Sequence, residues 1–175
     1  MDSKDVIADG LSRIHRSLHL TLEGMPTEHL IFRPGDQANT IGWLAWHLTR
    51  VQDHHLSDMA ACQQAWIADR WHEKFGKPAD PLETGQRYTP EQVAEIRPAS
   101  AQLLLDYHDA VYQRSLAYVN TLAPADFDRE LDEPQYSPLP TVGVRLVSVL
   151  GDNLQHAGQA AYLKGLIENR RWFPA

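Results

Sequence analysis

Hydrophobic spacing sets what this chain can fold into. Apolar residues recur every three or four positions over several long stretches, and no segment alternates convincingly with period two. Ile7, Leu11, Ile14, Leu18 and Leu22 form one stripe, which predicts a helix from about Ser3 to Leu22, ended by Gly24 and Pro26. Asn39 or Thr40 can cap a second helix that carries Leu44, Leu48, Val51, Met59 and Cys62 and extends toward Trp66. Thr89-Pro-Glu-Gln92 reads as a capping box with proline at the first helical position, because threonine and glutamine satisfy each other's free backbone donors. Pro98 then interrupts, so the third element is kinked or in two parts. Its longer piece runs from about Ala99 to Thr121, with Leu104, Val111 and Leu116 buried. The last helix runs from Thr141 to about Leu166 through Val142, Leu146, Leu150, Leu154, Ala157 and Ala161.

Four amphipathic helices joined by connections of unequal length predict an all-α four-helix bundle, one domain over residues 1–175. The stretch from Asp69 to Tyr88 contains Gly76, Pro78, Pro81 and Gly85 yet keeps Trp71 and Phe75, a composition expected of an ordered loop or functional cover. With 43% hydrophobic residues the chain can build a core without staples. A net charge of −7 and the lack of a basic run argue against nucleic-acid binding. Cys62 is the only cysteine, which excludes an internal disulfide framework and points to a reducing compartment. The N-terminus lacks a signal-peptide pattern and the longest near-apolar run is Ile41 to Trp46. The expectation is a cytoplasmic protein, off the membrane, whose partner is a small molecule.

The chemistry has to come from the nine histidines and their neighbours. Asp152 and His156 lie on one stripe of the last helix, one turn and about 6 Å apart along its axis, where a carboxylate and an imidazole can share a cation. Arg145, Val149 and Leu163 occupy the same stripe. Asp-x-x-x-His is common, and an ion pair beside the core is its plainer reading. His47 sits between Trp43 and Val51 on a flank of the second helix; His54 is about 10.5 Å further along the axis, too far to share an ion with it. If His47 faces Asp152 and His156, the three donors leave coordination positions open, as a catalytic metal requires. The rival is His15-x-x-x-His19 on the first helix. Arg16 stands where a zinc protease needs glutamate, which excludes the simple protease reading. Cys62 projects to the core side and reads as an inert small hydrophobe. His108 reads as structural, and Trp43 as an aromatic bordering a cavity beside His47.

The segments Thr40-Ile-Gly-Trp-Leu-Ala-Trp-His47-Leu and Leu146-Val-Ser-Val-Leu-Gly-Asp152-Asn-Leu-Gln-His156-Ala-Gly-Gln159 resemble the DinB/YfiT-like superfamily. The similarity is greatest to the branch of mycothiol-dependent maleylpyruvate isomerase and its actinobacterial relatives. The resemblance implies a four-helix bundle, often dimeric, with a divalent metal held by His47, Asp152 and His156. Many members carry histidine at the place of Asp152, whereas the isomerase branch carries a carboxylate. Zinc is the metal expected, with nickel, iron or manganese compatible, and a low-molecular-weight thiol such as mycothiol is the implied co-substrate. The implied activity is transfer or isomerisation by a small-thiol-dependent S-transferase or isomerase. A hydrolase using bound water and a non-catalytic metal-binding or stress-response protein are the alternatives. Arg145, to attract a carboxylate or phosphate, Gln159, to orient a ligand, and Trp43 complete the expected cofactor-binding set.

Overall fold

The computed structural model describes residues 1–171. Its elements are α1 (Ser3–Leu22), α2 (Thr27–Leu30), α3 (Ile41–Met59), α4 (Ala65–Ala68), α5 (Trp71–Lys74), α6 (Pro90–Ala94), α7 (Ala101–Thr121), a 3₁₀ turn at Pro124–Asp128, and α8 (Val142–Ile167). Four of them are long. The expected helical bundle is present, and its third element is in two parts, α6 and α7, on either side of Pro98.

Local chemistry explains the helix starts. Asp2 and Asp5 cap each other's backbone at the head of α1. Thr40 accepts from the Trp43 N–H at 3.1 Å, and Ser100 and Thr141 do the same for α7 and α8. The capping box read from Thr89 and Gln92 is formed in both directions.

Among the long helices, α1 packs on α7 and α8, and α3 packs on α7 and α8. Thus α1 lies diagonally from α3, and the α3–α8 seam is on the opposite side of the bundle from the α1–α7 seam. The stripe of α1 is buried, with Ile14, Leu18 and Leu22 fully enclosed, each contributing roughly 1.5–3 kcal/mol by leaving water. Trp43, Trp46, Trp66, Trp71 and Tyr107 form the aromatic part of the larger core cluster.

Three expectations are corrected. The second helix stops at Met59 and does not run on to Trp66, because Ala61 turns the chain with φ 51°. Cys62, past that turn, is therefore exposed and not on the core side. On α8 the inward stripe drifts as a 3.6-residue period requires: Val149, Asn153 and Ala160 face the core, while Leu154 is 50% exposed.

A buried polar layer crosses the bundle. Asn153 Nδ2 donates to Gln52 Oε1 at 2.8 Å, and Gln52 Nε2 donates to Ser115 Oγ at 2.9 Å, joining α8, α3 and α7. Such matched polar pairs cost stability when slid out of register, so the layer fixes how the three helices align.

Candidate metal centre

The sequence of α3 places His47 on the face toward α8, buried at 5% exposure. On α8 the one-turn spacing of Asp152 and His156 brings His156 Nε2 to 3.5 Å from Asp152 Oδ1. The α3–α8 packing brings all three together: one donor atom of each lies within 4.8 Å of the others. The His47 and His156 rings are 5.0 Å apart at 72°. Trp43 holds this arrangement from the side, stacked on His47 at 4.4 Å and 11° and edge-on to His156 at 5.8 Å.

Both imidazoles are oriented by a partner on the far nitrogen. His47 Nδ1 is 2.6 Å from the Thr84 carbonyl oxygen, and His156 Nδ1 is 2.8 Å from Gln159 Oε1. Each partner accepts, so each Nδ1 carries the proton and each Nε2 keeps its lone pair for an electrophile. Burial lowers the His47 pKa, opposed in part by the Thr84 bond and the Asp152 charge. Burial also acts to lower that of His156, but the Asp152 carboxylate beside it and the Gln159 contact outweigh this and raise it. Asp152 is held below the usual carboxylate range: burial works against ionisation, and the contact and charge of His156, with the charges of His47 and His55, together overcome it.

The donor set fits a divalent cation on an observation independent of motif. Asp152 Oδ2 is buried and has no hydrogen-bond partner. An ionised oxygen left without a donor in the interior is costly, and a cation between the two imidazoles removes that cost.

The loop between α5 and α6 covers this centre and is itself fastened by a buried cation. Arg50, fully enclosed on α3, donates to the Glu83 and Pro81 carbonyls at 2.9 and 3.2 Å, to Gln64 Oε1 at 2.9 Å and to Tyr107 Oη at 3.1 Å. Its charge is balanced by Asp53 at 3.3 Å, which also accepts from the Ala65 and Trp66 N–H groups and the Tyr107 hydroxyl. Gly85, next to Thr84, has φ +82°, and a Cβ there would come within 2.6 Å of the Trp46 ring and 3.1 Å of Trp43 Nε1. The loop thus lies directly on the aromatic wall of the site.

A polar cavity of about 460 Å³ opens beside the cluster, bordered by His47, Asp152, His55, Tyr136, Arg145 and Glu133 among others. Arg145 is nearly enclosed and forms a two-point ion pair with Glu133, with Nε to Oε1 at 3.0 Å, and its guanidinium lies 5.5 Å from the Tyr136 ring centre. Burial pushes His55 down to about 4, and the His54 and Arg145 charges add to this. His54 also lines the cavity; it bonds Gln64 at 3.1 Å and stays outside the three-residue donor cluster. A larger hollow of about 770 Å³ lies along the end of α8, from Gly158 to Arg171, and none of the three converging donors lines it.

The structure therefore brings together the predicted His47, Asp152 and His156, sets Trp43 and Gln159 against them, and puts Arg145 in the adjoining cavity. Thr84, Gly85, Glu133, His55 and the Arg50–Asp53 pair were not foreseen. The one available signal was a charged pair at i, i+3 on the core-facing side of α3, which requires buried partners. His15 and His19 stand on α1, at the α1–α7 seam, and take no part in this centre.

A four-helix bundle with two histidines and a carboxylate converging from facing helices is a well-defined class of protein. The chain belongs to the DinB superfamily, whose family model matches residues 11–160. It is similar to a conserved protein from Enterococcus faecalis of known crystal structure, with 29% identity, a TM-score of 0.88, and coverage of 97% of this chain and 99% of the other. A comparison with curated proteins finds no match.

Proposed function

We propose that this protein is a divalent-metal-dependent enzyme in which His47, Asp152 and His156 hold the metal and a small thiol is transferred to, or drives isomerisation of, a polar substrate. The observation that carries the reading is the unpartnered, buried Asp152 Oδ2, in a carboxylate grouped with two imidazoles whose Nδ1 atoms are already engaged by acceptors, beside an open cavity. Zinc suits a set of two nitrogens and one oxygen; nickel, iron and manganese are compatible with it. A divalent ion held there supplies Lewis acidity that lowers the pKa of a thiol or water presented to it.

The chain's own residues supply the rest. Thr84 and Gln159 fix the ring orientations, Trp43 walls off one side, and the loop anchored by Arg50 limits water. Arg145 offers a cation to a substrate carboxylate or phosphate, with Glu133 holding the guanidinium until that anion arrives. The thiol comes from a small molecule such as mycothiol, because Cys62 is not among the residues lining the cavity. The resemblance in the α3 and α8 motifs supports the thiol over water as nucleophile. The same reading includes a homodimer, for which the exposed Val147, Leu154 and Tyr162 on the outer side of α8 supply an apolar face.

The test is turnover of an electrophile panel by metal-loaded protein with and without low-molecular-weight thiols, with products identified by mass spectrometry. Thiol adducts or thiol-dependent isomers are expected. Hydrolysis in water alone would reject the thiol in favour of a hydrolase, and no turnover by a fully loaded protein would favour a non-catalytic metal-binding role.

A further inference from the structure

On the opposite side of the bundle, a second set of donors converges. His15 and His19 are one turn apart on α1, and Asp109 reaches them from α7. His15 Nε2 is 2.9 Å and His19 Nε2 2.6 Å from the same carboxylate oxygen, Asp109 Oδ1. The two rings are 4.5 Å apart, and one donor atom from each of the three residues lies within 4.8 Å of the others.

An ordinary surface ion pair does not need this much support. His15 stacks on Tyr112 at 4.2 Å and 22°, and on His108 at 5.7 Å and 26°, so three residues of α7, at 108, 109 and 112, hold the α1 pair. His108 is itself completely buried. The Thr49 hydroxyl donates to the Ala45 carbonyl, so at the 3.1 Å contact Thr49 Oγ1 accepts from His108 Nδ1–H. His108 Nε2 then keeps a bare lone pair and has no partner. The backing of the cluster is therefore neutral. No lysine or arginine pairs with Asp109 among the described residues, so the carboxylate charge faces only imidazoles.

The side chains of His15, His19 and Asp109 are 26, 32 and 42% exposed, which leaves the outward side open to solvent and to further ligands. Two imidazoles and one carboxylate select borderline first-row ions such as zinc, nickel, cobalt or copper(II) over magnesium or calcium, which prefer oxygen donors. We propose that His15, His19 and Asp109 form a second site for such a divalent ion, bridging α1 to α7 and separate from the centre on α3 and α8. This proposal does not rest on the enzymatic reading of the first centre.

The experiment loads the full, tag-free, metal-stripped chain with cobalt(II), reads the ligand-field spectrum, and counts the bound metal. Wild type is expected to bind two equivalents, His156→Ala one, and His156→Ala with His19→Gln none. In the His156→Ala background, Asp109→Asn is expected to weaken the remaining site by at least about tenfold, since even indirect partners of a ligand typically cost about 10–100-fold. Circular dichroism establishes that each variant is folded, and Asp109→Asn, nearly isosteric, provides the test if His19→Gln is not. One equivalent in wild type that is lost in His19→Gln and kept in His156→Ala supports the second site while rejecting the first. Equal cobalt binding by His156→Ala with and without the substitutions at His19 or Asp109, or no cobalt in folded His156→Ala, overturns the proposal.

Discussion

The Thr84 carbonyl accepts the Nδ1 proton of His47 at 2.6 Å, which makes a loop peptide part of the orientation of a helix-borne ligand. That bond commits His47 to the tautomer in which Nε2 faces Asp152 and His156 with a free lone pair. If the proposed centre holds its metal, loop position and metal affinity are consequently linked.

Gly85→Ala tests that link without touching a ligand. The added Cβ meets the Trp46 ring and Trp43 Nε1, and the φ of +82° disfavours any L side chain, so the loop must shift and take the Thr84 carbonyl with it. Metal affinity is expected to fall by about 10–100-fold with helical content unchanged. Calorimetric titration with zinc measures it, and an unaltered affinity would detach the loop from the site.

The Arg50–Asp53 pair should dominate local stability. Both groups are almost completely buried, so Arg50→Met leaves Asp53 charged in the interior and the Pro81 and Glu83 carbonyls without their donor. A loss of about 3–5 kcal/mol is expected from urea unfolding, together with weaker metal binding as the loop loosens. By contrast, removing the exposed Arg70–Glu73 pair should leave the midpoint unmoved.

Acid should destabilise the metal-free protein well above the carboxylate range. Burial, with the His15 charge adding to it, pushes His108 down to about 3, and His55 is held near 4. For a histidine whose folded pKa lies below its unfolded value near 6.5, the unfolded chain binds the extra proton first. Stability is then present above about pH 6.5 and is lost as pH falls, by up to about 1.4 kcal/mol per pH unit for each such group. Urea unfolding of wild type and His108→Phe at pH 7, 6 and 5 should show a shallower slope in the variant by about one proton. Parallel slopes would mean that His108 titrates normally.

The bundle was legible in the sequence because helical caps and three-to-four-residue spacing are local signals: Asp152 and His156 lie one turn apart, and Thr89 and Gln92 cap each other as read. Pairing His47 with them required either the packed α3–α8 seam or a family resemblance, since no local rule joins residues a hundred positions apart. Thr84 left no mark, because it contributes a backbone carbonyl that any residue could supply. Asp109 escaped for a related reason: its histidine partners are 90 and 94 positions away. Cys62 was misplaced because the helical projection ran through Ala61, a non-glycine residue at positive φ, for which composition gives no warning. Arg50 and Asp53 were readable in part, as charges on a buried face, but their partners come from distant loops.

Anomalous diffraction from crystals soaked in zinc shows directly whether the α3–α8 donors hold a metal. The predicted result is a peak between His47, Asp152 and His156, about 2.0–2.1 Å from each imidazole Nε2 and about 2.0–2.2 Å from a carboxylate oxygen. The peak should vanish in His156→Ala. No peak among these three residues at saturating zinc would mean that they do not hold the metal.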